Sequence, residues 1–396
     1  MLTEQIKPRA AGGPLFAVLR RLEIVGPLVV VAVLFGVVIG NRLTTYQGNA
    51  TGFILIGSHF RHDVHAPRGA RVGSPFGYDG QFFYLQATDP LVFKDRTLRG
   101  FERARQVFRL QRMAYPTLAY LAAAGQRGAI PWSMLAVNIA VVLLATVGFA
   151  LYARRRGWSG WWALCAGLLA GFLTGTVRDL SDPLAVASVL GGLIAWQSRR
   201  RWAAAALLAV AVLAREPMML AVAGIAAESV YSWWHGRRIR LSDLWPVVVV
   251  PVAAFVLWQL YIDARYGGNA ASTSGAFLPP FQGVVDEVRH ALDDPFRRDK
   301  VWDLAFLALM MLGLLASIRL CWRERTAPAI AALLFALSLL VLKFGDPWSY
   351  SRLSAPMFAA LLIAGLLRRD RPALAISVAG AVLTLAMPFT PWFGAV

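Results

Sequence analysis

From Leu22 to Gly40 the chain carries an unbroken apolar stretch, and ten further apolar runs follow it. A hydrocarbon core of about 30 Å takes about 20 helical residues to cross, and it leaves no backbone polar group a partner outside its own segment. Runs of this kind, repeated, leave few folds open. Each run is expected to be a helix, and the chain a helical bundle in a bilayer. Hydrophobic residues make up 58% of the 396 and charged residues only 16%, with a mean hydropathy of +0.55. Soluble domains carry about a quarter charged residues.

The net charge of +18 would suggest nucleic acid in a soluble chain. Here many cations gather at the ends of apolar runs, where they act as topology signals, so no nucleic-acid partner is expected. The clusters are Lys7/Arg9/Arg20/Arg21, Arg154–Arg156, Arg199–Arg201, Arg237/Arg238/Arg240, Arg319/Arg323/Arg325 and Arg368/Arg369/Arg371. If all face the cytoplasm, an even number of spans separates each neighbouring pair. Residues 22–40, 131–152, 158–177, 183–197, 202–214, 217–234, 244–262, 301–319, 328–343, 353–367 and 373–390 obey that parity.

The expected fold class is therefore an all-α polytopic membrane protein of about 11 transmembrane helices, in a range of roughly 10 to 12. Residues 1–396 form one transmembrane domain, with the N-terminus cytoplasmic and the C-terminus outside. Leu22–Gly40 is long for a signal segment and ends without a small-residue cleavage pattern, so it is read as an uncleaved first helix. Met113–Gly125 reaches only about 20 Å as a helix and is read as interfacial, on the outer face.

Two long polar segments, 41–112 and 263–300, then lie outside. Long loops in compact folds are usually functional or disordered. In the first, Leu98, Phe101, Val107, Phe108 and Leu110 alternate with basic residues, the pattern of an amphipathic helix lying on the membrane. The second opens on a Gly/Ser/Pro-rich stretch and continues as a short charged helix from about residue 282 to 293. No internal repeat of the transporter kind is present. Cys165 and Cys321 imply no disulfide framework, and the pairs Trp161/Trp162 and Trp233/Trp234 read as headgroup anchors.

Polar residues converge at the outer ends of the spans: Arg178, Asp179 and Asp182; Arg215 and Glu216; Lys343, Asp346, Tyr350 and Arg352. An ionisable residue at membrane depth costs a few kcal/mol and marks a water-filled cavity. Arg215 and Glu216 could simply pair with each other to close a hairpin, but three polar corners on one face favour a shared cavity.

Residues 77–90, GYDGQFFYLQATDP, face the same side. Asp79, beside Tyr78 and between Gly77 and Gly80, can approach a substrate closely because glycine lets the backbone bend. It is the general-base candidate, with Tyr78 and Gln81 beside the substrate. Asp89, before Pro90, reads as a turn or cap. His59, His62, Asp63 and His65 fall within seven residues but match no zinc spacing. No metal or other cofactor is expected, and Asp63 stands second as base.

These motifs resemble the GT-C superfamily of membrane glycosyltransferases, which includes protein O-mannosyltransferases and the aminoarabinose transferases of lipid A. YDGQFFY is similar to the acidic-then-aromatic signature of that family's outer loop. LAREP looks like its short hairpin corner, and YSRLSAP like a late Tyr-x-Arg segment. The resemblance implies a polyprenyl-phosphate-linked sugar donor, a glycan, lipid or protein acceptor, and surrounding membrane lipids as partners. It implies Asp79 as base and Arg352 near the donor phosphate, on the outer face of the plasma (inner) membrane. Unlike the best-known members, the chain lacks a clear Asp-Glu pair. The competing reading is a transporter or flippase of lipid-linked sugars, with the same cations binding phosphate.

Overall fold

The computed structural model describes residues 14–236, 241–267, 278–292, 298–342 and 347–389. Those residues are helical and form no strand beyond a single bridge between Ile56 and Val72. In chain order the helices are α1 (Pro14–Thr45), the single turn α2 (Thr51–Ile54), α3 (Gly80–Ala87), α4 (Asp95–Arg103) and α5 (Ala114–Ala122). Then come α6 (Ile130–Arg155), α7 (Ala163–Gly167), α8 (Ala170–Thr176), α9 (Asp182–Gln197), α10 (Arg201–Ala214) and α11 (Met219–Trp234). The last six are α12 (Leu241–Tyr266), α13 (Gln282–Leu292), α14 (Arg298–Glu324), α15 (Ala327–Leu339), α16 (Pro347–Arg368) and α17 (Arg371–Ala386).

Five helical stretches among the described residues are long and apolar enough to cross a bilayer. They are Arg21–Thr45, Arg127–Arg155, Ser242–Tyr266, Leu304–Glu324 and Ser351–Arg368. Residues 158–177 depart from the expected single span. A 3-10 turn at Gly160–Trp162, α7 and α8 divide them, with Leu169 in an extended conformation between the two helices. Leu169 ends one helical register and starts another, so α8 can turn its Gly171 against α16.

Close approach of helices rests on small residues, because lipid tails are as apolar as leucine and give helices no hydrophobic reason to associate. A Cβ at Gly224 on α11 would lie 2.9 Å from the Ala331 backbone nitrogen of α15. One at Gly192 on α9 would meet the Leu208 side chain of α10 at 2.8 Å, and one at Gly171 would meet the Ala355 Cβ of α16 at 2.8 Å.

The cationic clusters within the described residues meet at one end of the bundle. Arg154, closing α6, pairs with Glu23 near the start of α1 at 3.2 Å, and Arg156 donates to the Gln197 carbonyl at the end of α9 at 3.1 Å. Trp158 donates to the Leu366 carbonyl of α16 at 3.0 Å. Arg368 pairs with Glu324 of α14 at 2.9 Å, Arg319 with Asp370 before α17, and Arg201 with Asp243 of α12. The 237–240 cluster and the N-terminal one before Pro14 lie outside the described residues.

Segment 41–112 packs at the opposite end as a small core of its own. Phe82 packs edge-on to Phe60 and tilted against Phe101, with ring centroids 5.5 and 6.1 Å apart, and Phe53, Ile54, Ile56 and Leu85 are fully buried. The amphipathic helix expected through 98–110 is two pieces. α4 ends at Arg103, Arg105 takes a left-handed φ of 55°, and a 3-10 segment runs from Val107 to Gln111. Its apolar face is covered by protein rather than lipid: Phe101 and Leu110 are fully buried, and the Leu110 carbonyl accepts from Trp258 of α12 at 2.9 Å. Asp89 caps the turn before α4, accepting from the Phe93 and Lys94 amides at 3.2 and 2.9 Å.

Two ends of opposite character predict opposite accessibility. In a background with Cys165 and Cys321 replaced, Gly73→Cys on the loop should react in intact cells with a membrane-impermeant thiol reagent. Ser198→Cys at the cationic end should react only after permeabilisation. Equal labelling of both before permeabilisation would refute a bundle that crosses the membrane between them.

Candidate functional site

Glycines set the position of Asp79. Gly77 adopts a φ of +60° against the Leu55 carbonyl, a conformation glycine takes without steric cost. A Cβ at Gly80 would lie 2.5 Å from the Arg178 carbonyl oxygen and 2.8 Å from that of Ile54, so α3 can start there only without a side chain. Asp79, just before it, is thereby pinned to the corner between α8 and α9.

Its carboxylate is held by arginines from two distant parts of the chain. Oδ1 lies 2.5 Å from Nη1 of Arg109, in the 3-10 segment, and Oδ2 lies 3.7 Å from Nη1 of Arg352, on α16. The Arg109 guanidinium sits between the Phe82 and Phe108 rings, at 5.1 and 4.9 Å from their centroids. Tyr78 offers its ring to Arg352 as well, at 5.3 Å, and to one further cation, Arg178, at 4.2 Å. Such contacts fix guanidinium planes while leaving their N–H groups to other partners.

Arg215 and Glu216 do not pair with each other. Arg215 pairs with Asp182 at the start of α9, and Glu216 takes Nε of Arg112 at 3.0 and 3.2 Å through its two oxygens. The corner thus joins the bundle to the loop. A small cleft beside it is lined by both charged and apolar side chains, among them Asp182, Arg215, Met218, Leu339, Arg352 and Pro356.

Five guanidinium groups, those of Arg109, Arg112, Arg178, Arg215 and Arg352, meet three carboxylates, those of Asp79, Asp182 and Glu216. The surplus is positive and suits an anion. Burial pushes the Asp79 carboxyl upward, but Arg109, Arg352 and Arg112 outweigh it and hold the group well below the usual carboxylate range.

Several expected site residues lie elsewhere. Gln81 is a structural staple: it accepts from the Gly57 amide and donates to the Phe76 carbonyl, each at 2.9 Å, so its amide group is occupied by the loop backbone. Asp179 takes no hydrogen bond from the arginines near it. It is fully buried with a left-handed φ of 46°, and neither carboxylate oxygen accepts a hydrogen bond. The Tyr115 hydroxyl beside it donates instead to the Met134 carbonyl at 3.1 Å. Asp63 makes no ion pair among the described residues, and its backbone carbonyl packs against Gly100. His59 lies edge-on to Phe76, and His62 and His65 are exposed. No group of three or more His, Cys, Asp or Glu among the described residues converges as a metal site. Lys343, Asp346 and the Tyr350 side chain lie outside the described residues.

Arg109 and Arg112 are the residues that sequence reasoning missed. They sit in a stretch where Arg99, Arg103 and Arg105 are equally basic, and only the break at Arg105 turns these two inward. No family model, characterised protein or solved structure matches this chain.

The Arg215–Asp182 pair is nearly out of water, with side chains 9% and 4% exposed. Arg215→Gln should therefore destabilise strongly, by about 3–5 kcal/mol, because it leaves a buried carboxylate uncompensated. Adding Asp182→Asn should restore most of the loss. Thermal denaturation midpoints of the purified single and double variants in detergent check this, and additive losses would show that the two residues are not coupled.

Proposed function

We propose that the arginine-rich site around Asp79 transfers a sugar from a polyprenyl-phosphate donor to an acceptor hydroxyl, as the resemblance to GT-C glycosyltransferases implies. One observation carries the reading: a carboxylate, Asp79, stands among arginines that can hold a phosphate. The acceptor hydroxyl gives its proton to Asp79, and its oxygen attacks the anomeric carbon of the sugar. The bond from that carbon to the phosphate oxygen breaks, and its electron pair leaves with the polyprenyl phosphate. Arg352 and Arg109 stabilise the departing charge through charge-assisted hydrogen bonds, and Arg215 adds its positive charge from its pair with Asp182. Leu339 and Pro356 supply the apolar wall along which the lipid begins.

The side of the membrane follows from charge. The opposite end of the bundle holds the cationic clusters, and loops rich in Lys and Arg stay in the cytoplasm. The cleft is accordingly assigned to the outer face of the plasma membrane, and the remaining apolar helices to further spans of the GT-C plan. A flippase would use the same arginines. A site that only carried phosphate would gain nothing from Asp79, which competes with the anion for them, and this favours the enzyme.

Asp79→Asn keeps the side chain's size but cannot take a proton. Sugar transfer by purified protein from a polyprenyl-phosphate donor pool should fall by about 10²–10⁴-fold, the usual contribution of a general base. Full transfer in Asp79→Asn together with loss in Asp63→Asn would move the base to Asp63. Unchanged transfer in both variants would overturn the mechanism.

A further inference from the structure

We infer that Asp79 and the donor phosphate compete for the same two arginines, so that binding of a phosphate monoester or diester releases the carboxylate to act as base. This rests on the function proposed above and extends it to the order of events. As it stands, the site has a base that cannot work. Its Oδ1 is bonded to Arg109, its Oδ2 faces Arg352, and a carboxylate so held has little tendency to take a proton.

The other charges around Asp79 do not offer the phosphate an easier place. Arg112 is engaged by both oxygens of Glu216, Arg215 by Asp182, and Arg178 lies on the Tyr78 ring. Arg109 and Arg352 both contact the one Asp79 carboxylate, Arg109 through Oδ1 and Arg352 at 3.7 Å through Oδ2. A phosphate bearing several acceptor oxygens can bind both guanidinium groups bidentately, which one carboxylate cannot. The exchange leaves Asp79 with fewer cations and a new anion beside it, and both changes raise its proton affinity. The acceptor is then activated only when a donor is present, and donor binding precedes proton transfer.

Arg109, absent from the residues the sequence singled out, becomes a positioning residue with two duties: it quiets the base in the empty site and holds phosphate in the filled one. The test uses full-length protein in detergent, with farnesyl phosphate as probe and calorimetry as readout. Asp79→Asn should bind the probe about tenfold or more tightly than wild type, because Arg109 and Arg352 no longer have to be taken from a carboxylate. Most of that gain should vanish in the Arg109→Gln background, whereas simple relief of long-range repulsion would persist there.

A second measurement needs no variant. The acidic limb of kcat, which reports the donor-bound enzyme, should lie at higher pH than that of kcat/KM for donor, which reports the empty one. Equal affinity in wild type and Asp79→Asn, or coincident acidic limbs, would overturn the exchange while leaving the glycosyltransferase reading intact. No binding of farnesyl phosphate to wild type, together with no sugar transfer from a polyprenyl-phosphate donor pool, would overturn both.

Discussion

A guanidinium buried among apolar helices needs a carboxylate, and that requirement organises the end of the protein that holds the cleft. The Arg215–Asp182 pair ties the end of α10 to the start of α9, and Arg112–Glu216 ties the loop to the same corner. A carboxylate left alone at such depth costs several kcal/mol, while the pair in good geometry costs far less. Position therefore follows from charge: α9, α10 and α11 can end only where these partners meet, and the loop can dock only where Glu216 waits for Arg112. Asp79 enters the same network at a place set by backbone contact, where Gly80 fits against the Arg178 carbonyl.

Much of this was legible in the sequence because bilayers impose simple rules. Apolar runs had to be helices, and within the described residues the eleven runs reappear as helices or, at 158–177, as a broken one. Clusters of arginine had to share a side, and those within the described residues are joined by contacts from Glu23 to Asp370. Asp79 stood out because two glycines flanked a carboxylate, and Arg215 because it interrupted an apolar stretch. Single-residue signals of this kind survive without knowledge of the fold.

What was not legible depended on contacts far apart in the chain. Arg109 and Arg99 look alike until the left-handed turn at Arg105 sends one toward Asp79 and leaves the other exposed. The apolar positions of residues 98–110 have the spacing of a membrane-surface helix, and nothing local says that Phe82 and Trp258 will cover them instead. Gln81 read as a substrate contact because polar groups near a candidate base usually are; its partners, the Gly57 amide and Phe76 carbonyl, belong to a turn that forms only when the loop closes on itself. Asp179 shares a corner with Arg178, yet its carboxylate is fully buried and accepts no hydrogen bond there.

The glycines that let neighbouring helices touch make the bundle selective in what it tolerates. Val33, Leu144 and Leu257 are more than half exposed at the bundle surface, where one aliphatic side chain serves as well as another. A Cβ added at Gly171, Gly192 or Gly224 would lie within 3 Å of a neighbouring helix, and what these positions require is indifferent to hydropathy. A survey of random substitutions across the spans would therefore recover function along one stripe of each helix and lose it along the other. Drift in this protein runs freely on the side that meets lipid and is arrested where two helices leave no room for a methyl group.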